Sequence, residues 1–197
     1  MRGIGRGARV SDSRNRWHVI TGPPCCGKST TIDLLAARGF RVRTEVARAH
    51  LDEALRAGRS VHEVRARPEE FQVSVLMRAL AVERSLPPEE LIFFDRGVPD
   101  SLAYFRLHGL PEADYMSRIA AARYRTVFYL EPLSDYVTDY ARVESRHERD
   151  RLADLLWRAY ADLAFDVVRV PVLPAQERID FILRRIAGAG DGAPRAE

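Results

Sequence analysis

The chain of 197 residues contains one lysine, two cysteines and no long apolar run. The cysteines, Cys25 and Cys26, are neighbours, so they cannot form a disulfide that joins distant segments. The five histidines lack the spacing of zinc ligands, and we expect no structural zinc. No segment approaches the length of a membrane span, and residues 1–16 contain no hydrophobic signal-peptide core. These absences predict a cytoplasmic protein without a membrane partner.

The positive charge of the chain is concentrated at its N-terminus. A net charge of +3 and a pI near 9.1 would be typical of a nucleic-acid-binding protein. Five arginines and one aspartate in residues 1–16 contribute +4, however, which leaves −1 for the rest of the chain. We therefore expect no nucleic-acid partner. Residues 1–16 are predicted to be a disordered basic tail, residues 17–187 one domain, and residues 188–197 a second disordered tail.

Strand-like segments alternate with helical patterns between these tails. Short β-branched and aromatic runs predict strands at 17–21, 40–45, 91–95, 125–130 and 166–172. Apolar residues at helical spacing predict helices over 31–38, 46–55, 69–86, 152–163 and 174–186. This alternation favours parallel pairing with right-handed crossovers. The predicted fold is α/β, a three-layer sandwich with a parallel sheet of about five strands.

Residues 22–29, GPPCCGKS, match the motif G-x-x-x-x-G-K-[ST] between a predicted strand and a predicted helix. The glycines let successive backbone N–H groups face a phosphate, and the helix N-terminus adds a favourable dipole. Lys28 is the only lysine of the chain, and arginine cannot fit a loop shaped around a compact ammonium group. We therefore predict nucleotide binding by this P-loop, with these cofactor-binding residues: Gly22, Pro23, Pro24, Cys25, Cys26, Gly27, Lys28, Ser29 and Thr30.

The two cysteines occupy variable positions of this loop, where small side chains are expected to fit. The alternative is that backbone N–H groups lower the thiol pKa and make the loop redox-sensitive. Nothing else in the sequence indicates redox control, so we favour the first interpretation.

Charged residues follow two of the predicted strands. Asp95 ends the buried run LIFFD, where an acid would reach water on Mg²⁺, and Arg96 comes next. Glu45 lies at the end of the second strand, and ligands of open α/β sheets bind at these carboxyl ends. We predict a magnesium site formed by Ser29 and Asp95, with Glu45 in the same cleft. The alternative is that the buried acid and Arg96 form a purely structural ion pair.

The chain resembles the P-loop kinases of small molecules, which include deoxynucleoside, thymidylate and antibiotic kinases. It resembles more closely the AAA-like domain shared by the ribosylnicotinamide kinase NadR and TRP-channel-trafficking proteins. The matching segments lie between residues 17 and 183. They are GPPCCGKST, TEVAR (44–48), EEFQ (69–72), DRGVPDSLAY (95–104), RVE (142–144) and VVRVPVLPAQERIDFIL (167–183).

The resemblance implies roles for individual residues. Glu45 would take the proton of the acceptor hydroxyl, and Arg96 would hold the substrate and the transferring phosphate. The amide of Gln72, next to Phe71, would bind a nucleobase, although a glutamine on the helix surface is an equal alternative. The implied catalytic residues are Lys28, Glu45, Asp95, Arg96 and Arg142; the implied substrate contacts are Glu45, Arg48, Gln72, Arg96, Asp100 and Tyr104.

Two further segments follow from the resemblance. Arg142, with Arg146, Arg149 and Arg151, would belong to an arginine-bearing lid, although a solvated helix start fits the later ones equally well. Pro171, Val172 and Leu173 would pack on adenine. The chain departs from the family at 164–165, where Ala-Phe replaces an expected Gly-aromatic pair.

The leading hypothesis is an ATP- and Mg²⁺-dependent kinase that acts on a small hydroxylated, nucleoside-like acceptor. The alternative is a nucleotide-dependent regulatory switch with slow hydrolysis. The guanine-reading motif N-K-x-D is excluded, because the single lysine lies in the P-loop. A polynucleotide 5′-kinase is disfavoured by the near-neutral charge outside the tail.

Overall fold

A computed structural model describes residues 15–133 and 146–188. Its five strands form one parallel sheet in the order β2-β3-β1-β4-β5. The strands are β1 (Trp17–Thr21), β2 (Arg41–Arg43), β3 (Ile92–Asp95), β4 (Thr126–Leu130) and β5 (Val167–Val170). The predicted fold class is confirmed, and the carboxyl ends of β1 and β3, which carry the predicted site residues, are neighbours.

Helices cover both faces of the sheet. In chain order they are α1 (Lys28–Ala37), α2 (Val46–Arg56), α3 (Val61–Arg65), α4 (Pro68–Arg84), α5 (Asp100–His108), α6 (Ala113–Ala120), α7 (Arg146–Ala161) and α8 (Ala175–Gly188). One face of the sheet packs against α4, α5 and α7, and the other packs against α1 and α8. Successive side chains of a strand pack into opposite layers, as Val19 and Ile20 do in β1.

The helices α2, α3 and α4 share a small apolar cluster of their own, formed by Leu51, Ala54, Val64 and Phe71. The short helix α3 begins with a capping box in which Ser60 and Glu63 exchange hydrogen bonds. Residues of α2 and α4 line one cavity together with Asp95 at the end of β3, so this unit forms a wall beside the carboxyl ends of the strands.

The structure changes several predicted boundaries. The second strand ends at Arg43, so Glu45 is the residue before α2 and not the end of a strand. Asn15, predicted in the tail, is buried, and its side-chain amide donates to the carbonyl of Arg123. The domain therefore includes Asn15. The helices α5 and α6 are additional to the predicted ones, and α5 begins inside the motif segment 95–104.

In the described part of the chain, no helix combines the length and the apolar composition that crossing a membrane requires.

Candidate active site

The P-loop makes a tight turn from β1 into α1. Gly22, Cys25 and Gly27 all have positive φ angles, of 148°, 60° and 83°. At Gly22 a Cβ atom would lie 2.6 Å from the carbonyl oxygen of Leu130, so this position requires glycine. Within residues 15–133 and 146–188, no side chain caps the start of α1, and its first turn holds no acid, so the first N–H groups of the helix are open to an anion.

Lys28 and Asp95 face each other at the end of this loop. Both are buried, and the Lys28 Nζ atom lies 3.7 Å from the Asp95 Oδ1 atom. Burial raises the pKa of Asp95, although the charge of Lys28 opposes this. Among the described residues, the buried Asp95 Oδ1 atom has no hydrogen-bond partner. Such an oxygen beside a phosphate loop is suited to hold a cation or its water.

These residues fit a Mg²⁺ ion that takes most of its ligands from phosphate and water. No group of three or more His, Cys, Asp and Glu side chains in the described residues could hold a metal by itself. Ser29 is exposed at the start of α1, where its hydroxyl would be the second protein ligand.

Arg96 is the centre of the charge cluster next to the P-loop. Its side chain is 11% exposed, and its Nε atom donates to Glu45 Oε1 at 2.9 Å. Its Nη1 atom donates to Asp100 Oδ1 at 3.0 Å, and its backbone has a φ of 70°. The ring of Tyr104 lies 5.5 Å from the guanidinium carbon. A bulky residue held at positive φ between two acids shows that the surrounding structure determines the position of Arg96.

Glu45 is ionised in this arrangement. Its burial raises the pKa, but the charges of Arg96, Lys28 and Arg48 outweigh this and lower the pKa to about 2. The carboxylate is therefore charged at neutral pH and is held by Arg96.

Asp100 is buried, and both of its oxygens are used inside the protein. In addition to Arg96, it accepts hydrogen bonds from Thr21 Oγ1 at 2.8 Å and from the Gly97 N–H at 3.1 Å. The hydroxyl of Tyr160 donates to its Oδ2 atom and accepts from the Gly97 N–H at 3.2 Å. Asp100 was predicted as a substrate contact; its geometry is that of a residue that holds Arg96. Tyr160 was not predicted, since an aromatic residue on an amphipathic helix gives no signal of such a role.

A cavity of about 230 Å³ opens from the P-loop toward α2 and α4. Its end near the loop is charged, and its lining there includes Lys28, Glu45, Asp95, Arg96 and Asp100. The rest of its lining combines the apolar residues Leu51, Phe71, Val75, Ala79 and Leu107 with the polar or charged residues Arg65, Gln72, His108 and Glu148. Gln72 lines the cavity and is 7% exposed, so the alternative of a surface glutamine is wrong.

The remaining predicted residues are distributed as follows. Arg48 and Tyr104 line the cavity. Pro171 and Val172 are exposed in the loop after β5 and do not line it. Arg142 and the side chain of Arg146 lie outside the described residues. Among the other lid candidates, Arg149 is buried and pairs with Asp150, whereas Arg151 is exposed.

The two P-loop cysteines differ in burial, because Cys25 is partly exposed whereas Cys26 is buried. Cys26 is buried, and burial raises the pKa of its thiol, although Lys28 and Arg96 oppose this. Cys26 belongs to the apolar layer between the sheet and α8, which supports the favoured interpretation of a small side chain that fits the loop.

The fold and the site together define a P-loop nucleotide-binding domain with a kinase-like sheet. The family model described as an AAA domain (AAA_28) matches residues 17–178, and the chain belongs to this family. No curated protein matches the chain significantly in sequence.

Solved structures share the fold at low sequence identity. Deoxyadenosine kinase from M. mycoides with bound dCTP is 15% identical with a TM-score of 0.61; the match covers 87% of this chain and 99% of that one. Thymidylate kinase from Candida albicans is 12% identical with a TM-score of 0.62, over 90% and 93% of the two chains. NadR protein in complex with NR is 16% identical with a TM-score of 0.66, over 93% of this chain and 53% of NadR. These findings confirm the resemblance drawn from the sequence.

Proposed function

We propose that the protein is an ATP-dependent kinase that transfers the γ-phosphate to a hydroxyl group of a small, nucleoside-like acceptor. The observation that carries this proposal is the cavity, which continues directly from the P-loop and combines charged residues with apolar ones from α2, α4 and α5. A phosphate loop alone would serve hydrolysis, whereas an acceptor requires a binding cavity that continues from the loop. The fold shared with deoxyadenosine and thymidylate kinases supports the same proposal.

At the nucleotide end, the P-loop N–H groups and Lys28 would bind the β- and γ-phosphates. Ser29 and Asp95 would hold Mg²⁺, which when bound offsets the negative charge that develops on the phosphates. The site residues here act by positioning and by charge, because phosphoryl transfer needs little else from a protein.

At the acceptor end, Glu45 would accept the hydroxyl proton while the hydroxyl oxygen attacks the γ-phosphorus and the bond to the β-phosphate breaks, releasing ADP. The Glu45 carboxylate is held at 2.9 Å by Arg96, which lowers its basicity. A γ-phosphate that attracts Arg96 would weaken this ion pair and raise the pKa of Glu45. The base would thus become effective only when nucleotide is bound.

Gln72 and the apolar side chains of the cavity would select the acceptor. The buried amide offers a donor and an acceptor between the hydrophobic side chains of Phe71 and Val75. A flat heterocycle with polar edges, such as a nucleobase, matches this combination. We propose that Asp100 positions Arg96, in place of the predicted contact with the substrate.

The alternative function is a nucleotide-dependent switch whose slow hydrolysis resets a conformation. Coupled ADP release, measured with ATP and Mg²⁺ alone and then with a panel of nucleosides, distinguishes the two. The kinase predicts slow release without acceptor and stimulation toward roughly 1–100 s⁻¹ by one of them. No stimulation by any acceptor, together with a rate that responds to a protein partner, would favour the switch.

A matched pair of variants makes this assay specific. Glu45→Gln should remove the stimulated turnover. Glu53→Gln should retain it, because Glu53 lies on α2, the helix that Glu45 precedes, is 48% exposed in an ion pair with Arg78 and does not line the cavity.

A further inference from the structure

Arg178 on α8 connects two loops of the nucleotide site. Its side chain is almost completely buried, at 4% exposed. Its Nη1 atom donates to the carbonyl oxygen of Cys26 at 2.8 Å, and its Nη2 atom donates to that of Leu173 at 3.3 Å. The first carbonyl belongs to the P-loop, and the second belongs to the loop of residues 171–173, which is expected to pack on adenine.

The guanidinium lies directly against the P-loop. A Cβ atom at Gly27 would be 2.4 Å from the Arg178 Nη1 atom, so the loop leaves no room for a side chain at this position. Gly27 precedes Lys28, and its own positive φ of 83° is part of the turn that opens the loop toward a phosphate. The loop geometry and the Arg178 side chain therefore depend on each other.

No acid among the described residues is close enough to Arg178 to balance its charge. Lys28 faces Asp95, and Arg96 is paired with Glu45 and Asp100. Among the described residues, no carboxylate lies within 4.0 Å of Arg178. A buried cation that binds only carbonyl oxygens keeps much of its desolvation cost. An anion bound at the adjacent loop would reduce this cost, since the low dielectric strengthens their attraction.

We propose that Arg178 is a positioning residue of the nucleotide site with two effects. Its two hydrogen bonds join the P-loop to the 171–173 loop, so that the phosphate and base subsites keep a common geometry. Its charge, which no carboxylate of the described residues pairs, lies behind the loop and attracts the polyphosphate without touching it. The inference rests on the proposed binding of ATP at this loop.

The test compares the binding of tripolyphosphate and of ATP, both with Mg²⁺, by calorimetry. Arg178→Gln removes the charge and should weaken tripolyphosphate binding by about 10- to 100-fold. Arg184→Gln, which changes an exposed arginine on the same helix, should bind as the wild type does. In the kinase assay, Arg178→Gln should raise the KM for ATP more than it lowers kcat.

Arg178→Lys separates the two effects, and it tests the link between the loops even where Arg178→Gln does not fold. Lysine keeps the charge but reaches one carbonyl, so tripolyphosphate affinity should stay within about 3-fold of wild type. The ratio of the ATP to the tripolyphosphate dissociation constant should rise about 10-fold, because the 171–173 loop is released.

The outcomes are distinguishable. If the wild type binds neither ligand, the proposed function fails. If the wild type binds both and folded Arg178→Gln binds tripolyphosphate equally well, the charge effect is refuted. An unchanged ratio in Arg178→Lys refutes the link between the loops.

Discussion

His18, in the middle of β1, should make the protein less stable in acid. It has no solvent exposure and packs between Phe93 and Phe128, with ring centroids 5.6 and 6.1 Å away. Burial, together with the charges of Arg125 and Arg16, lowers its pKa from 6.5 to about 3. Since the folded pKa lies below the unfolded one, the neutral His18 side chain stabilises the folded protein above pH 6.5. This contribution to the free energy of unfolding is lost as the pH falls toward 3.

Glu83 on α4 has the opposite effect. Burial raises its pKa from 4.5 to about 7, and the hydrogen bond from the Tyr124 hydroxyl offsets this only in part. Because the folded pKa is the higher one, the stabilisation by Glu83 is complete below pH 4.5 and is lost as the pH rises through about 7. Between pH 4.5 and 6.5 the contributions of His18 and Glu83 to the free energy of unfolding oppose each other.

The magnitudes follow from these pKa values. On acidification from about pH 7.5 to about pH 5, His18 should lower the free energy of unfolding by about 2 kcal/mol, and Glu83 should raise it by about 2 kcal/mol. His18→Leu removes only the first contribution, so acidification should stabilise this variant relative to wild type by about 2 kcal/mol. Glu83→Gln removes only the second, and acidification should destabilise it by a similar amount.

The assay is urea unfolding of the wild type and both variants at the two pH values. The quantity of interest is the variant-minus-wild-type difference, because the titration of all other groups then cancels. If His18→Leu changes the free energy of unfolding equally at both pH values, His18 takes up its proton as easily in the folded chain as in the unfolded one. The reasoning from burial would then be refuted.

Three further predictions concern the backbone and the site. Ala164 is exposed and has a φ of 56°, which is a strained conformation for alanine. Ala164→Gly should therefore raise the free energy of unfolding by up to about 1 kcal/mol, measured by urea unfolding. A loss of stability would show that the position is not strained. Lys28→Ala should lose most ATP affinity in calorimetry while keeping the melting temperature, and unchanged affinity would contradict the P-loop assignment. Glu45→Gln should keep ATP binding but lower turnover roughly 10²- to 10⁴-fold, whereas Asp95→Asn should weaken the Mg²⁺ dependence of binding. The opposite pattern in the last pair would make Asp95 the base.

The local sequence pattern was sufficient to predict the strands of the sheet and the P-loop. Buried strands such as Ile92–Asp95 and Thr126–Leu130 show as apolar runs, and the loop motif is continuous in sequence. The Gly-to-Ala departure at Ala164 was also visible, but only the structure shows that this alanine keeps the left-handed conformation. The sequence therefore predicts where the site lies and most of its charged groups.

The supporting residues could not be predicted, because their partners are distant in the chain. Tyr160 is 60 residues from Asp100, and Arg178 is 152 residues from Cys26. In sequence both residues occupy ordinary amphipathic helices, and burial becomes apparent only when α7 and α8 pack on opposite faces of the sheet. The hydrogen bonds that use both oxygens of Asp100 inside the protein depend on the same packing.

The most direct test of the proposed function follows the γ-phosphate of labelled ATP. The protein is incubated with ATP, Mg²⁺ and each nucleoside in turn, and the products are separated and weighed by mass spectrometry. The cavity beside the P-loop predicts that the label appears in one acceptor whose mass has risen by one phosphoryl group, and that Lys28→Ala does not form this product. Label that appears only as inorganic phosphate with every acceptor, at the rate seen with ATP alone, would contradict the proposal.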